Sequence, residues 1–596
     1  RSHFGSSDSA CGPFPQVLVR SAPAGVLALR RKCAPVAMSV DLPKLALVLA
    51  GSITVLAQTL FQEKEGWDFF WIWALIVSIL STAACLPAFL LLIFRPSAPG
   101  ESQRSPPSLC MAVLWTAGAV PLTMERPFAL TGNGYFGTWV ALIYSWLMAF
   151  SEYPSMKEPL DQLASGGGAY LAVLLIASST ALLQTSWSCA TAKGWCNGNA
   201  AWILVCSSVS TALCASLLTR QVAEKLKEHF KGIALFFLVW WSAGSIVTTF
   251  EEPYESSYAN GYFSCLAAVG TSALLVESSW GLSVTDTALS RASEVAGGAP
   301  PEILVLFLAS LVTLTAAAID CAEAGCAAFE LWAILCSVVS LVVCFAMLVY
   351  TLRGGWITGG NDVLGKLSVF LFVWWVLGTG CMTFESPFMH LGNGYFGSWV
   401  ALVAAFLFAV KNVTSLRSRV ADIGSSGKEV GALFLASAVL LAQAVWDIAG
   451  EGGDGGRVWA GICSVASLGC VAMVVFSGKM QDRFRWIVLA LFLWWCLGVA
   501  IMTFHWPYVR TGNGYFASWT AWGACGRLLL QQFPQLSGYA NLGAPSTPTG
   551  GRGVEDRPAS LGDIKLSEDT FDTEVAMEPA GAPPVVVGSP FTDASP

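Results

Sequence analysis

The stretch Gly392-Asn-Gly-Tyr-Phe-Gly-Ser-Trp399, with Thr383-Phe-Glu-Ser-Pro-Phe388 shortly before it, is one of four near-copies of a single phrase in this chain. The other copies run from Thr123 to Trp139, from Thr249 to Phe263 and from Thr503 to Trp519. The Asn of the phrase recurs at positions 133, 260, 393 and 513, at intervals of 120 to 133 residues. This period is much longer than that of a solenoid repeat, so the chain contains four copies of a whole folding unit.

The composition predicts a membrane protein. Apolar residues make up 55% of the 596 residues, charged residues only 12%, and the mean hydropathy is +0.61. Soluble domains carry about 25% charged residues, so this composition argues against a water-soluble fold. The apolar residues form runs of about 17 to 25 residues, the length that crosses a hydrocarbon core as a helix.

Each copy of the repeat contains four such runs. We therefore predict an all-α, polytopic membrane protein with about 16 transmembrane helices, arranged as four tandem four-helix units. An even number of spans per unit makes the four units parallel repeats with one common orientation. The predicted units, called repeats 1 to 4 below, are residues 38–155, 160–282, 300–415 and 427–532.

The two ends of the chain differ in composition from the repeats. Residues 1–37 are rich in Ser, Ala, Pro and Arg, as in an organelle transit peptide; the alternative is a spurious extension before the first span. Residues 533–596 are rich in Gly, Pro, Ser, Thr and acids, which predicts a disordered acidic tail. Within the tail, Leu561 to Phe571 mixes acids with apolar residues, so a protein partner is one expectation and a plain solubilising role the other.

The distribution of Lys and Arg predicts the orientation in the membrane. Seventeen lie in the loops that follow second spans or join repeats, and five lie in the loops that follow first and third spans. The more basic side is expected to be cytoplasmic, or stromal in a plastid, with both termini on it. We expect a multi-pass protein of the plasma membrane or an endomembrane, with a plastid membrane as the alternative.

Two cysteine pairs lie in loops on the predicted external side, where an oxidising compartment would allow disulfides. The pairs are Cys189 with Cys196 and Cys321 with Cys326. Most of the other cysteines lie within predicted spans and are expected to be small packing residues.

The repeated phrase is interpreted first as a hairpin between the third and fourth spans. Its Pro ends the third helix, its Asn-Gly is expected to form a tight turn, and its aromatic residues are expected at the headgroup level. The Trp pairs of the third spans, such as Trp374-Trp375, are expected at that level too. The turn residues are Pro127, Asn133, Gly134, Pro253, Asn260, Gly261, Pro387, Asn393, Gly394, Pro507, Asn513 and Gly514.

The acids beside the Pro are the alternative, functional interpretation. Ionisable groups in a membrane often mark routes for ions or protons. The candidate ion- or solute-interacting residues are Glu125, Glu251, Glu385 and, in the fourth copy, His505. The first spans also share Gln58, Gln184 and Gln443, which have no counterpart in the third copy and are expected to make interhelical hydrogen bonds.

No catalytic or metal-ligand pattern stands out in the sequence. The chain has four His residues and no phosphate-binding loop or nucleophile elbow, and its basic runs are too short for nucleic acid. We therefore expect no enzyme, no cofactor, no metal and no nucleic-acid partner.

The signature T-F-x-x-P-[FY] followed by G-N-G-Y-F-x-x-W resembles that of multi-spanning membrane proteins from algae, other protists and some fungi. More loosely, the four-span unit is similar to MARVEL-type tetraspan proteins. This resemblance implies membrane organisation or trafficking rather than catalysis, and it transfers no functional residue to this chain.

Three roles follow as hypotheses. The first is a non-enzymatic scaffold that organises its membrane, in contact with the lipid bilayer and with other membrane proteins. The second is a transporter or channel that uses the interfacial acids at the ends of the third spans. The third is an accessory subunit of a larger membrane complex.

Overall fold

The computed structural model describes residues 42–62, 66–94, 108–153, 168–191, 196–250, 254, 259–280, 300–352, 361–413, 427–476 and 483–533. The predicted extension (1–37) and the tail beyond residue 533 lie outside these ranges. The described helices belong to one compact unit, Arg1–Gly543, and a second unit, Ala544–Pro596, lies wholly outside the described residues.

The described residues are helical, as predicted. Repeat 1 has helices Leu42–Phe61, Phe69–Phe94, Ser108–Met124 and Asn133–Glu152, and repeat 2 has Gly168–Thr191, Gly198–Leu217, Phe230–Phe250 and Ala259–Trp280. Repeat 3 has Pro301–Ala324, Ala328–Leu352, Asn361–Phe384 and Asn393–Asn412, and repeat 4 has Gly427–Glu451, Gly455–Phe476, Phe484–Phe504 and Asn513–Gln532. A short helix, Arg220–Leu226, and a 3-10 turn, Lys227–His229, precede the third helix of repeat 2.

Thirteen of these helices are long and apolar enough to cross a membrane. The other three (Ser108–Met124, Asn133–Glu152 and Asn513–Gln532) occupy third or fourth positions, where their counterparts in other repeats do meet that test. The prediction of an all-α, polytopic membrane protein is therefore confirmed. Among the described residues the only extended pairing is an isolated bridge between Gly132 and Arg510.

Within each repeat, the first helix packs along the second and the fourth, and the third helix packs along the fourth. Small residues allow the closest approach: a Cβ on Gly51 would lie 2.7 Å from the backbone oxygen of Gly137 on the fourth helix. Such contacts between small residues drive helix association in lipid, where the hydrophobic effect does not. Each repeat also encloses its own cluster of buried apolar side chains.

The centre of each bundle holds a buried tryptophan, which corrects one prediction. Trp115 and the second Trp of the three third-span pairs (Trp241, Trp375 and Trp495) are fully buried, so they do not face the lipid headgroups. In three repeats the indole N–H donates to a serine of the second helix, and that serine bonds a serine of the first helix. These triads are Trp115–Ser81–Ser52, Trp375–Ser340–Ser310 and Trp495–Ser467–Ser437. In these three repeats the indole N–H finds its hydrogen-bond acceptor in the interior, whereas the Trp241 indole of repeat 2 is buried without a hydrogen-bond partner among the described residues.

The outward surfaces of the helices are apolar. On the second helix of repeat 3, the side chains of Leu331, Leu335, Val342 and Phe345 are all exposed. Helices that are apolar on their outer faces as well as inside are expected to be surrounded by lipid.

Candidate functional site at the junctions between repeats

The repeated phrase begins with the same local turn in all four copies. After the third helix ends, the backbone N–H of the aromatic residue that follows Pro donates to a carbonyl six residues earlier, over 2.8 to 3.0 Å. The four pairs are Phe128 with Leu122, Tyr254 with Thr248, Phe388 with Met382 and Tyr508 with Met502. The peptide bonds before Pro127, Pro387 and Pro507 are cis. Pro253 lies outside the described residues.

The Asn-Gly pair does not form the turn, which corrects that prediction. Asn393 and Gly394 are the first two residues of a fourth helix, and the only positive φ angles in the described residues belong to Gly325 and Gly452. Gly is needed at 394 for space, because a Cβ there would lie 2.2 Å from the ring of Phe388. The same close approach occurs at Gly134, Gly261 and Gly514, with distances of 2.1 to 2.5 Å.

The Asn of each copy binds the preceding repeat, and Asn260 also donates to Gln184 of its own repeat (3.3 Å). The Asn513 side-chain amide donates to the Thr383 hydroxyl (3.0 Å) and to the Thr383 carbonyl (2.9 Å). The same amide-to-hydroxyl bond, of 2.9 to 3.0 Å, joins Asn260 to Thr123, Asn393 to Thr249 and Asn133 to Thr503. Since the last of these joins repeat 1 to repeat 4, the four repeats form a closed ring.

The carbonyl oxygen of each Asn side chain accepts hydrogen bonds from the same neighbouring repeat. Asn513 accepts from the Tyr395 hydroxyl (3.1 Å) and from the Trp399 indole (3.3 Å). The remaining bonds are Tyr515 and Trp519 to Asn133, Trp139 to Asn260, and Tyr262 to Asn393. Repeat 2 has Leu266 where the others have this Trp, so Asn393 receives the tyrosine bond alone.

Eight aromatic rings form what we call the aromatic collar, which is Tyr135, Phe136, Tyr262, Phe263, Tyr395, Phe396, Tyr515 and Phe516. Within each repeat the Tyr and Phe rings meet edge to face at 5.4 to 5.6 Å. The Tyr of each repeat then contacts the Phe of the next at 6.2 to 6.3 Å, and Tyr515 contacts Phe136 to close the circle. The four tyrosines are only 4 to 5% exposed, so they pack inside the repeat junctions, whereas the sequence predicts rings that face the headgroups.

The junction between repeats 4 and 1 carries two further contacts. The hydroxyls of Thr131 and Thr511 form a hydrogen bond, and Gly132 pairs with Arg510 as an isolated bridge. The ring is therefore closed by at least as many contacts at its last junction as at the others.

The candidate ion-interacting acids are held by neighbouring repeats. The Trp187 indole donates to the Glu125 carboxylate over 2.5 Å, and the Trp446 indole donates to the Glu385 carboxylate over 2.7 Å. His505 follows the third helix of repeat 4, and its backbone N–H bonds Ile501. Among the described residues, no contact joins these three side chains to one another. Glu251 lies outside the described residues.

Both predicted cysteine pairs are disulfides in the structure, with Cα–Cα distances of 4.9 Å for Cys189–Cys196 and 4.5 Å for Cys321–Cys326. The described residues contain no group of three or more His, Cys, Asp or Glu side chains arranged to hold a metal ion.

The ring of Asn–Thr bonds is the arrangement that the sequence did not predict. A signal for it was present: the same Asn and Thr recur in all four copies, and an amide is costly beside a membrane unless it finds a partner. The sequence alone did not reveal that this partner lies in another repeat.

The fold and the junctions define a class of protein, an all-α multi-pass membrane protein in which four helical bundles form a closed ring. No protein-family model, curated protein or solved structure matches this chain. The resemblance to tetraspan proteins stays a prediction.

Proposed function

We propose that this protein is a non-enzymatic scaffold that organises its membrane. The observation that carries the proposal is the closed ring of Asn–Thr hydrogen bonds, which joins four bundles into one body. A body of this kind offers a stable surface around which lipids and other membrane proteins can assemble.

The use of the repeated polar groups supports this role. Asn513 has its amide bonded to Thr383 and its carbonyl oxygen bonded to Tyr395 and Trp399. Groups that satisfy one another in this way stabilise a unique arrangement. They are also not free to replace the hydration shell of a passing ion, as the lining of a selectivity filter must be.

The outward surface supports the same proposal. Val239, Val342 and Leu493 are 60 to 62% exposed, and each lies on a different helix. Side chains of this type contact either acyl chains or the apolar faces of neighbouring membrane proteins.

Photo-cross-linking in native membranes tests the scaffold role. Photoreactive residues placed at Val239, Val342 and Leu493 are expected to give discrete protein adducts, the same in repeated preparations. A photoreactive residue at Cys344, which is fully buried, is the matched control and should give none. Adducts with lipid alone at all three outward positions would contradict the proposal.

A transporter or channel is the second candidate. The observation that favours it is the arrangement of the four fourth helices, which begin at a closed collar and so surround a common axis. Under the scaffold proposal, proteoliposomes of the purified chain pass no more ions or solutes than empty liposomes. Flux that Glu385→Gln abolishes would favour the transporter instead.

An accessory subunit of a larger complex is the third candidate. In the cross-linking experiment it would differ from a general scaffold by giving one dominant adduct, with a fixed ratio of partner to chain.

A further inference from the structure

One position on the first helices breaks the four-fold pattern. In three repeats a Gln donates its amide to the side chain four residues later, over 2.7 to 3.3 Å. These pairs are Gln58 with Gln62, Gln184 with Ser188 and Gln443 with Asp447. Counted from the core serines Ser52, Ser178, Ser310 and Ser437, the equivalent pair in repeat 3 is Ala316 and Asp320.

The absence of the Gln side chain coincides with a cavity between repeats 2 and 3. Its volume is about 160 Å³, and both Ala316 and Asp320 line it. Thr249 of repeat 2 and Asn393 of repeat 3 form another part of the wall, so the cavity lies against the junction bond between them.

Asp320 has lost both of the donors that its counterpart in repeat 4 possesses. The Asp447 carboxylate accepts from the Gln443 amide (2.7 Å) and from the Tyr508 hydroxyl (3.3 Å). In repeat 3 these donors are replaced by Ala316 and Phe388, which have no side-chain N–H or O–H. Among the described residues, no side chain or backbone group donates a hydrogen bond to Asp320.

The walls of the cavity suit a cation. Asp320 is half-buried, and Glu323 and Glu330 add negative charge beside it. The rings of Phe250, Phe388 and Tyr395 also line the cavity. Aromatic faces attract cations, and aromatic walls with a nearby carboxylate suit an ammonium group better than a metal ion.

The size of the cavity fits a small ammonium group. A water molecule occupies about 30 Å³ in the liquid, so the space corresponds to about five waters. We propose that this cavity is a binding site for an ammonium group, whose positive charge pairs with the Asp320 carboxylate at the place where the Gln443 amide donates to Asp447 in repeat 4. The group could be that of a free small amine or that of a choline-type lipid headgroup.

Equilibrium binding of radiolabelled choline to the purified full-length chain, in an amine-free detergent, tests the proposal. One saturable site per chain is expected. Asp320→Asn removes the charge at constant size and should weaken binding about tenfold or more. Ala316→Gln rebuilds the side chain found in the other repeats and should weaken binding, because the added amide occupies part of the space.

Glu302→Gln is the matched control. This acid lies in the first turn of the same helix, far from Asp320, and does not line the cavity, so the variant should bind choline as the original chain does. The absence of a saturable site in amine-free detergent, or affinity that both Asp320→Asn and Ala316→Gln leave unchanged, would overturn the proposal.

Bilayer nanodiscs distinguish the two sources of the ammonium group. In discs of phosphatidylglycerol alone, choline should bind as in detergent. Weaker choline binding in discs that contain phosphatidylcholine would support the site and identify the lipid headgroup as its natural ligand. Equal binding in both discs would support the site and identify a free amine.

Discussion

At the scale of single residues, the fourth helices begin under a strict steric limit. Gly134, Gly261, Gly394 and Gly514 each lie against the aromatic ring that follows the phrase's Pro. That ring is buried, with Phe388 only 6% exposed, so it has little room to move away from an added methyl group. The requirement is for space and not for an unusual backbone angle.

Gly394→Ala is therefore expected to destabilise the folded chain. A Cβ at 2.2 Å from the Phe388 ring forces that ring to shift, and overpacking of this kind costs about 1–3 kcal/mol. Thermal unfolding in detergent measures the effect. Gly270→Ala and Gly523→Ala are the controls, because no atom lies within 4 Å of a Cβ built at either position on the other fourth helices. A loss as large in the controls would mean that the ring contact is not the cause.

Asp454 carries a prediction about pH. The backbone N–H of Arg457 (2.8 Å) and then the Trp506 indole (2.6 Å) donate to its carboxylate and hold its pKa below the ordinary value of 3.8. A lowered pKa in the folded state contributes stability that is complete above the unfolded value and is lost as the pH falls through the folded value.

The unfolding temperature should therefore fall more for the original chain than for Asp454→Asn between pH 6 and pH 3. Trp506→Phe removes one of the two donors, so its decrease in unfolding temperature should be intermediate between those of the original chain and Asp454→Asn. If the unfolding temperature changed equally with pH in all three chains, the protonation of this carboxylate would not affect the stability of the fold.

At the scale of helices, the apolar runs were enough to predict the sixteen elements, but not their full lengths. The first helix of repeat 4 begins at Gly427 and ends at Glu451, beyond the apolar run in both directions. The sequence also could not place Trp375, because an aromatic residue in a span suits either the headgroup region or a buried polar partner. Its hydrogen bond to Ser340, of 3.0 Å, decides between them.

The junction asparagines make a prediction at this scale. Asn513→Ala should separate the fourth helix of repeat 4 from repeat 3, because Thr383, Tyr395 and Trp399 all lose their partner. Leaving a buried polar group without a partner costs about 1–3 kcal/mol. The expected result is a lower unfolding temperature and faster proteolysis between repeats 3 and 4.

Asn412→Ala provides the matched comparison. Asn412 bonds the Phe408 carbonyl within its own helix, so its loss should leave the junctions intact. If the two variants lost the same stability, the inter-repeat bonds would contribute no more to stability than a bond within one helix.

At the scale of the whole molecule, the loops that follow first and third helices share one end of the bundles. The distribution of basic residues predicts that this end is external. An engineered glycosylation sequon between Cys189 and Cys196 should then be modified in an endoplasmic-reticulum expression system. The modification would be measured as a gel shift that endoglycosidase removes. The natural sequon at Asn412 lies at the opposite end and should stay unmodified. The reverse result would invert the topology.

The sequence could predict four units with one orientation, because the repeated phrase and the four apolar runs of each copy can be recognised directly. It could not predict that they close into a ring, since Asn133 and Thr503 are 370 residues apart and each looks locally like a helix-end residue. The cavity at Asp320 was equally hidden, because the missing Gln is visible in the sequence but the space it leaves is not.

The closed ring also means that the two neighbours of each repeat do not depend on which repeat comes first in the chain. The bond from Asn133 to Thr503 is equivalent to the bond from Asn260 to Thr123, although only repeats 1 and 2 are consecutive in the chain. A circularly permuted chain that begins with repeat 3 and ends with repeat 2 would make the same four junctions. The place where this polypeptide starts is thus independent of the architecture it builds.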